Sequence, residues 1–133
     1  MDRRTVEQLL AADRYARHLG IRLVEADGER VVLEMEVAPQ HLNFLDLTHG
    51  GAVFSLADCA MSLASNGSGT RAVAIDAHLV ISGGSEQGDV LRAVAEPAIG
   101  GRTLGSHRIS VTRSDGRVVG LFTGTVLRTG PGS

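Results

Sequence analysis

The sequence contains no lysine; all thirteen basic residues among its 133 are arginines. Schiff-base chemistry and a phosphate-loop lysine are therefore excluded. There is one cysteine, Cys59, so no internal disulfide can form and a reducing, cytoplasmic setting is expected. Tryptophan is missing, and Phe44, Phe54, Phe122 and Tyr15 are the whole aromatic supply. No uninterrupted apolar run reaches the ~18 residues a membrane span needs. The opening MDRRTVEQLLAADRYARHLG carries charges through its apolar positions and does not read as a signal peptide. A net charge of −2 lacks the footprint of a general nucleic-acid binder. The five histidines are scattered, with no His-x-x-x-His pair and no second cysteine, so no metal is expected. A serine hydrolase is disfavoured because no G-x-S-x-G elbow is present.

What is present fits one globular domain, with 43 % apolar and 21 % charged residues. From Thr5 to Leu19, Val6, Leu9, Leu10, Ala12, Ala16 and Leu19 recur at helical spacing, and Gly20 is a stop signal. Two strands follow around Gly28, IRLVEAD and RVVLEMEV; the second sets Val31, Leu33, Met35 and Val37 on one face. After Pro39 a loop, QHLNFLDLTHGG, leads into a central helix from Gly51 to Ser65. Four strand-like segments come next: RAVAIDAHLVIS, DVLRAVAEPAI, TLGSHRISVTR and RVVGLFTGTVLRT. GGSEQG, Gly100–Gly101 and SDGR separate them as turns. Short connections predict an antiparallel sheet. The central helix is apolar almost all round and must be buried on nearly every side, which a sheet curved around it would achieve. The expectation is an α+β chain, a single domain over 1–129 with a short leading helix, and a disordered tail at 130–133.

The central helix, within THGGAVFSLADCAMSLAS, has one polar stripe: Ser55, Asp58, Ser62 and Ser65 at spacings of three, four and three. Serines there need only face solvent. Asp58 is different, because aspartate is a poor helix-interior residue, no arginine lies on neighbouring turns, and an ionised carboxylate in apolar surroundings costs several kcal/mol unless something solvates it. Cys59 adjoins it but points about 100° away and reads as core. At the helix start, Gly50 and Gly51 would let a ligand oxygen approach free N–H groups closely, a candidate oxyanion hole, although a Gly-Gly pair is often only a turn. Gly50 and Asp58 lie eight residues apart, about 12 Å along the axis. If both act on one bond, a second copy must lie antiparallel, its Asp58 meeting this chain's Gly50, in a twofold dimer with two composite sites.

HLNFLDLTHGGAVFSLADCA resembles the hotdog-fold acyl-CoA thioesterases of the phenylacetate-degradation (PaaI-like) type. Their H-x-N, then H-G-G, then helical Asp correspond to His41 and Asn43, to His49, Gly50 and Gly51, and to Asp58. The likeness extends over residues 20–129. It implies a hotdog fold, a long antiparallel sheet wrapped around one central helix, assembled as a homodimer that pairs into a homotetramer. The implied chemistry is hydrolysis of an acyl-CoA thioester to a carboxylic acid and coenzyme A, with no separate cofactor. By the same resemblance Asp58 is general base or nucleophile, the Gly50 N–H polarises the carbonyl, and Asn43 and His49 orient the water or the acyl group. Many relatives carry an aromatic-Leu-Arg-Pro run where this chain has VISGGS at 80–85, and a polar position on the same strand would here be Asp76 or His78. Phe44 and Phe54 flank the motif as candidate acyl-pocket walls, Gly51 and Ser62 as further substrate contacts, and Arg102 after the GG turn as a candidate for the coenzyme A phosphates. His41 reads as a loop anchor, His18 as a helix-end cation, and His107 and Arg108 as surface residues. Two alternatives remain open: a hotdog hydratase or dehydratase, for which Asp46 with His49 would be the pair, and a non-catalytic acyl-CoA binding module.

Overall fold

The computed structural model describes residues 2–28 and 30–131, with the backbone alone at 97–99 and 131. Helices α1 (Arg3–Ala12) and α2 (Arg14–Leu19) lead into strands β1 (Arg22–Asp27) and β2 (Arg30–Glu36). A 3-10 turn at Pro39–His41 and the loop after it precede α3 (Gly50–Asn66). Then come β3 (Thr70–Ile81), β4 (Val90–Gly100), β5 (Leu104–Arg113) and β6 (Val118–Pro131). The six strands form one antiparallel sheet in the order β1-β2-β4-β5-β6-β3. Sequence-adjacent strands pair through tight turns, whereas β3, which emerges from α3, crosses to the far edge beside β6. This is the hotdog architecture, helix and sheet as expected.

Alternation decides which face is buried. Val31, Leu33 and Met35 on β2, Leu91, Ala93 and Ala95 on β4, Ile109 and Val111 on β5, and Phe122 and Val126 on β6 point at α3, which answers with Val53, Leu56, Ala57, Ala60 and Met61. Burying each large side chain of that set is worth roughly 1.5–3 kcal/mol. Helix and sheet approach so closely that a Cβ at Gly124 would collide with the Met61 side chain, which would have to move aside.

Three expectations are modified. The leading helix is two helices, because Asp13 leaves helical geometry (φ −83°, ψ 98°) and caps the second. One sheet cannot surround a helix: Phe54 is 36 % exposed, Ser62 is exposed, and Ser55 and Asp58 are half-buried, so α3 keeps one uncovered stripe. The disordered tail expected from 130 is not found at Gly130 and Pro131, which continue β6 by pairing with Arg71 and Thr70; Gly132 and Ser133 lie outside the described residues.

Candidate active site

The loop before α3 is built on hydrogen bonds. His41 is buried; its Nδ1 accepts from the Ala38 N–H at 2.9 Å, and its Nε2 lies 2.8 Å from the Leu19 carbonyl. A carbonyl only accepts, so Nε2 carries the proton and the ring is neutral. His41 anchors the loop, as expected. Asn43 Oδ1 accepts from the Leu45 and Leu47 N–H groups at 2.9 and 3.2 Å, folding a tight loop in which Asp46 adopts φ 59°, a conformation aspartate tolerates better than most residues.

The loop delivers His49 to the N-cap of α3, where its Nδ1 accepts from the Gly51 N–H at 2.8 Å and its carbonyl from Ala52 at 2.9 Å. The two glycines thus part company. The Gly51 amide is occupied, and the Gly50 N–H has no acceptor among the described residues. A Cβ at Gly50 would meet Ile81 Cδ1 at 2.8 Å. Gly50 opens on a cavity of about 410 Å³ lined by Asn43, Leu47, Thr48, Ile81 and residues 82–85. The VISGGS stretch is therefore one wall of this cavity, tied to the loop by Ser85 Oγ donating to Thr48 Oγ1 at 2.7 Å and Thr48 N–H donating to the Ser85 carbonyl at 3.0 Å.

Asp58 sits in a separate cavity of about 250 Å³, lined also by Asp13, Tyr15, Ile21, Phe54, Ser55 and Ser62. It is half-buried, and among the described residues nothing hydrogen-bonds or ion-pairs with it. Burial first, and the neighbouring Asp13 second, hold its carboxyl above the ordinary carboxylate value, as desolvation and a like charge both favour the proton. Burial likewise pushes the Cys59 thiol up to about 12, which makes it an inert core residue.

The predicted residues thus divide. Gly50 and Asn43 share one cavity, and Asp58, Ser62 and Phe54 share the other. Phe44, 93 % exposed, lines neither; Asp76 is exposed on β3 and Arg102 in the β4–β5 turn, apart from both. His107, expected at the surface, is buried. Asp13 and Tyr15 escaped sequence reading because a continuous helix was expected there. The signal was available in Asp13 standing three residues before Ala16, whose N–H its Oδ1 accepts at 3.0 Å. Among the described residues no group of three His, Cys, Asp or Glu side chains could hold a metal ion, and no helix is long and apolar enough to cross a membrane.

No protein-family model matches the chain. It is 35 % identical over 118 residues to the acyl-coenzyme A thioesterase PaaI of Escherichia coli K12, covering 89 % of this chain and 84 % of that one. It is 26 % identical over 121 residues to human acyl-coenzyme A thioesterase 13, covering 88 % and 86 %. Among solved structures, the Escherichia coli PaaI protein superposes with a TM-score of 0.93 at 32 % identity over 97 % of this chain and 94 % of that one. A hypothetical thioesterase from Streptococcus pneumoniae TIGR4, solved with coenzyme A, gives 0.81 at 26 % identity over 85 % and 91 %.

Proposed function

The chain belongs to the PaaI-like hotdog acyl-CoA thioesterases, and from that premise we propose that Asp58 of one subunit and the Gly50 amide of another together cleave the thioester. The activity is hydrolysis of acyl-CoA. One observation carries it: α3 bears a free amide and an unpartnered carboxylate that open on different cavities, about 12 Å apart along the axis. Within one chain they cannot meet on a single carbonyl.

The thioester carbonyl accepts a hydrogen bond from the Gly50 N–H, at the positive end of the helix dipole, which stabilises the charge that grows on oxygen. Asp58 from the partner takes a proton from water, and the resulting hydroxide forms a C–O bond to the carbonyl carbon. The C–S bond then breaks, and the coenzyme A thiolate takes up a proton as the acid is released. Base catalysis suits Asp58 because its raised carboxyl is the stronger base once ionised. Asn43, whose Oδ1 is committed to the loop, keeps the cavity's shape and has its NH₂ left for the substrate. The subunits join through β3. This twelve-residue edge strand leaves Val73, Ile75, Val80 and Ile81 exposed, and an unpaired apolar edge is a template for a second copy. A reducing cytoplasm suits the lone buried thiol.

Asp58→Asn tests the reading. We expect turnover of an acyl-CoA panel, read as free thiol, to fall by about 10²–10⁴-fold, with the dimer intact by light scattering. Wild-type turnover in that variant removes Asp58 from the mechanism, and acyl-CoA consumption without thiol release would indicate a hydratase.

A further inference from the structure

The cavity around Asp58 holds a second carboxylate, Asp13, and among the described residues no cation lines it. Asp13 is there because the leading helix breaks at it. Its N–H donates to the Leu10 carbonyl at 3.1 Å, closing α1, while its Oδ1 accepts from the Ala16 N–H at 3.0 Å, opening α2. Its Oδ2 has no partner among the described residues. Tyr15 Oη and Ser55 Oγ, 3.3 Å apart, brace α2 against α3 over the same space. The second charge is therefore carried on a fixed element.

We infer that Asp13 sets the charge selectivity of the acyl site: uncharged acyl groups are accepted, acyl groups bearing their own carboxylate are refused, and the carboxylate product is driven out. This rests on the shared-site reading above: with Asp58 acting at the carbonyl carbon, its own cavity, walled by Ile21 and Phe54, takes the acyl chain. Hydrolysis turns a neutral thioester into an acid that ionises at neutral pH, so charge appears beside two carboxylates with no cation among the lining residues described to offset it. Like charges in a partly desolvated cavity repel far more strongly than in water. A dicarboxylic acyl group brings that charge at entry, and the same repulsion then opposes binding. Asp13 makes and breaks no bond; it is a specificity-determining residue.

Succinyl-CoA and its uncharged isostere isocaproyl-CoA make the test, with spontaneous hydrolysis subtracted. The wild type is expected to favour isocaproyl-CoA by about tenfold or more in kcat/KM; equal values overturn the inference without any variant. Asp13→Asn removes the charge but keeps a good N-cap. Its selectivity ratio should fall by about fivefold or more, and inhibition by free isocaproate should tighten by a similar factor. An Asp13→Asn protein with wild-type circular dichroism and an unchanged ratio overturns the inference. Asp58→Asn is measured alongside on isocaproyl-CoA: wild-type turnover there sinks the acyl-site reading and the inference with it, whereas lost turnover with an unmoved Asp13→Asn ratio sinks only the role of Asp13.

Discussion

The start of α3 and its middle are finished in opposite ways. At the start the amides have acceptors, Gly51 in His49 Nδ1 and Ala52 in the His49 carbonyl, and the Gly50 donor is left without one among the described residues. Two turns on, Asp58 is an acceptor with no donor among the described residues, in a cavity whose other charged lining residue is a second carboxylate, Asp13. Leaving either group unsatisfied works against stability. One helix thus carries a surplus donor and a surplus acceptor, kept apart by its own length. The site is therefore divided by chemistry: one end is made to hold negative charge as it forms, the other to take up a proton. A substrate carbonyl and a water complete both.

The sharpest way to break this division is Gly50→Pro. Gly50 is the first residue of α3, where proline's fixed φ suits the helix and its missing N–H costs no intrahelical bond. The preceding His49 is already extended (φ −62°, ψ 135°), as a residue before proline prefers. The substitution removes the Gly50 donor, and Ile81 Cδ1, 2.8 Å from the new Cβ, must move aside. Turnover should drop by about 10²–10³-fold, the usual effect of losing one oxyanion donor. Subunit mixing then sharpens the comparison. Gly50→Pro and Asp58→Asn are each inactive alone, but a mixed dimer rebuilds one intact site. Equimolar exchange should recover about a quarter of wild-type activity, from half the dimers being mixed with one of two sites restored. No recovery, with exchange verified by differential tagging, would place donor and base in the same chain and refute the shared site.

A second and smaller effect comes from pH. Asp58 acts as a base only when ionised, and its carboxyl is held above the ordinary carboxylate value by burial and then by Asp13. The acid limb of kcat/KM should therefore lie above that value, with activity lost as pH falls through the raised one. The stability sign is the reverse. A carboxyl that binds its proton more tightly in the folded chain contributes stability below the unfolded value of 3.8 and loses it as pH rises through the folded one. Asp58→Asn should thus raise the melting temperature at neutral pH while abolishing turnover. A variant that melts lower would mean that Asp58 has a stabilising partner.

Strand spacing, the turn signals and the apolar helix were legible because each follows from local chemistry: alternation in β2 set Val31, Leu33 and Met35 inward, as the sheet has them. Asp58 stood out for its own local chemistry, a charge on an otherwise apolar helix with no arginine on the neighbouring turns. The break at Asp13 was overlooked although its capping signal was there, since one cap between two short helical runs is outweighed by their continuous periodicity. Nor could the sequence tell Gly50 from Gly51. Their difference is made by the His49 side chain turning onto one amide, a choice of rotamer set by the loop that Asn43 and His41 fix. The uncovered face of α3 follows the polar stripe read from spacing, but its extension to Phe54 was not legible: hydropathy counts apolar residues round a helix but not how far one six-stranded sheet can reach around it.

The smallest expected effect compares Asp58 with a carboxylate that has every partner it needs. Glu34, on the sheet's other face, accepts from Arg92 at 2.8 and 3.0 Å and from Arg22 at 3.2 Å, both directly across the ladder on β4 and β1. The Arg92 hydrogen bond, and the charges of both arginines, hold its carboxyl below the ordinary value despite some desolvation. Its contribution to stability is therefore present above the ordinary glutamate value and fades as pH falls through the lowered one, opposite in sign to Asp58. Both arginines are about half exposed, so solvent screens the network and Arg92→Ala should cost no more than about 1 kcal/mol. Thiol release should be unaffected, because the triad faces away from both cavities. A cost of several kcal/mol in chemical denaturation, or a change in turnover, would mean that the outer face of the sheet is covered in the working assembly and that the contrast between a paired carboxylate and a free one is not the one that separates structure from chemistry here.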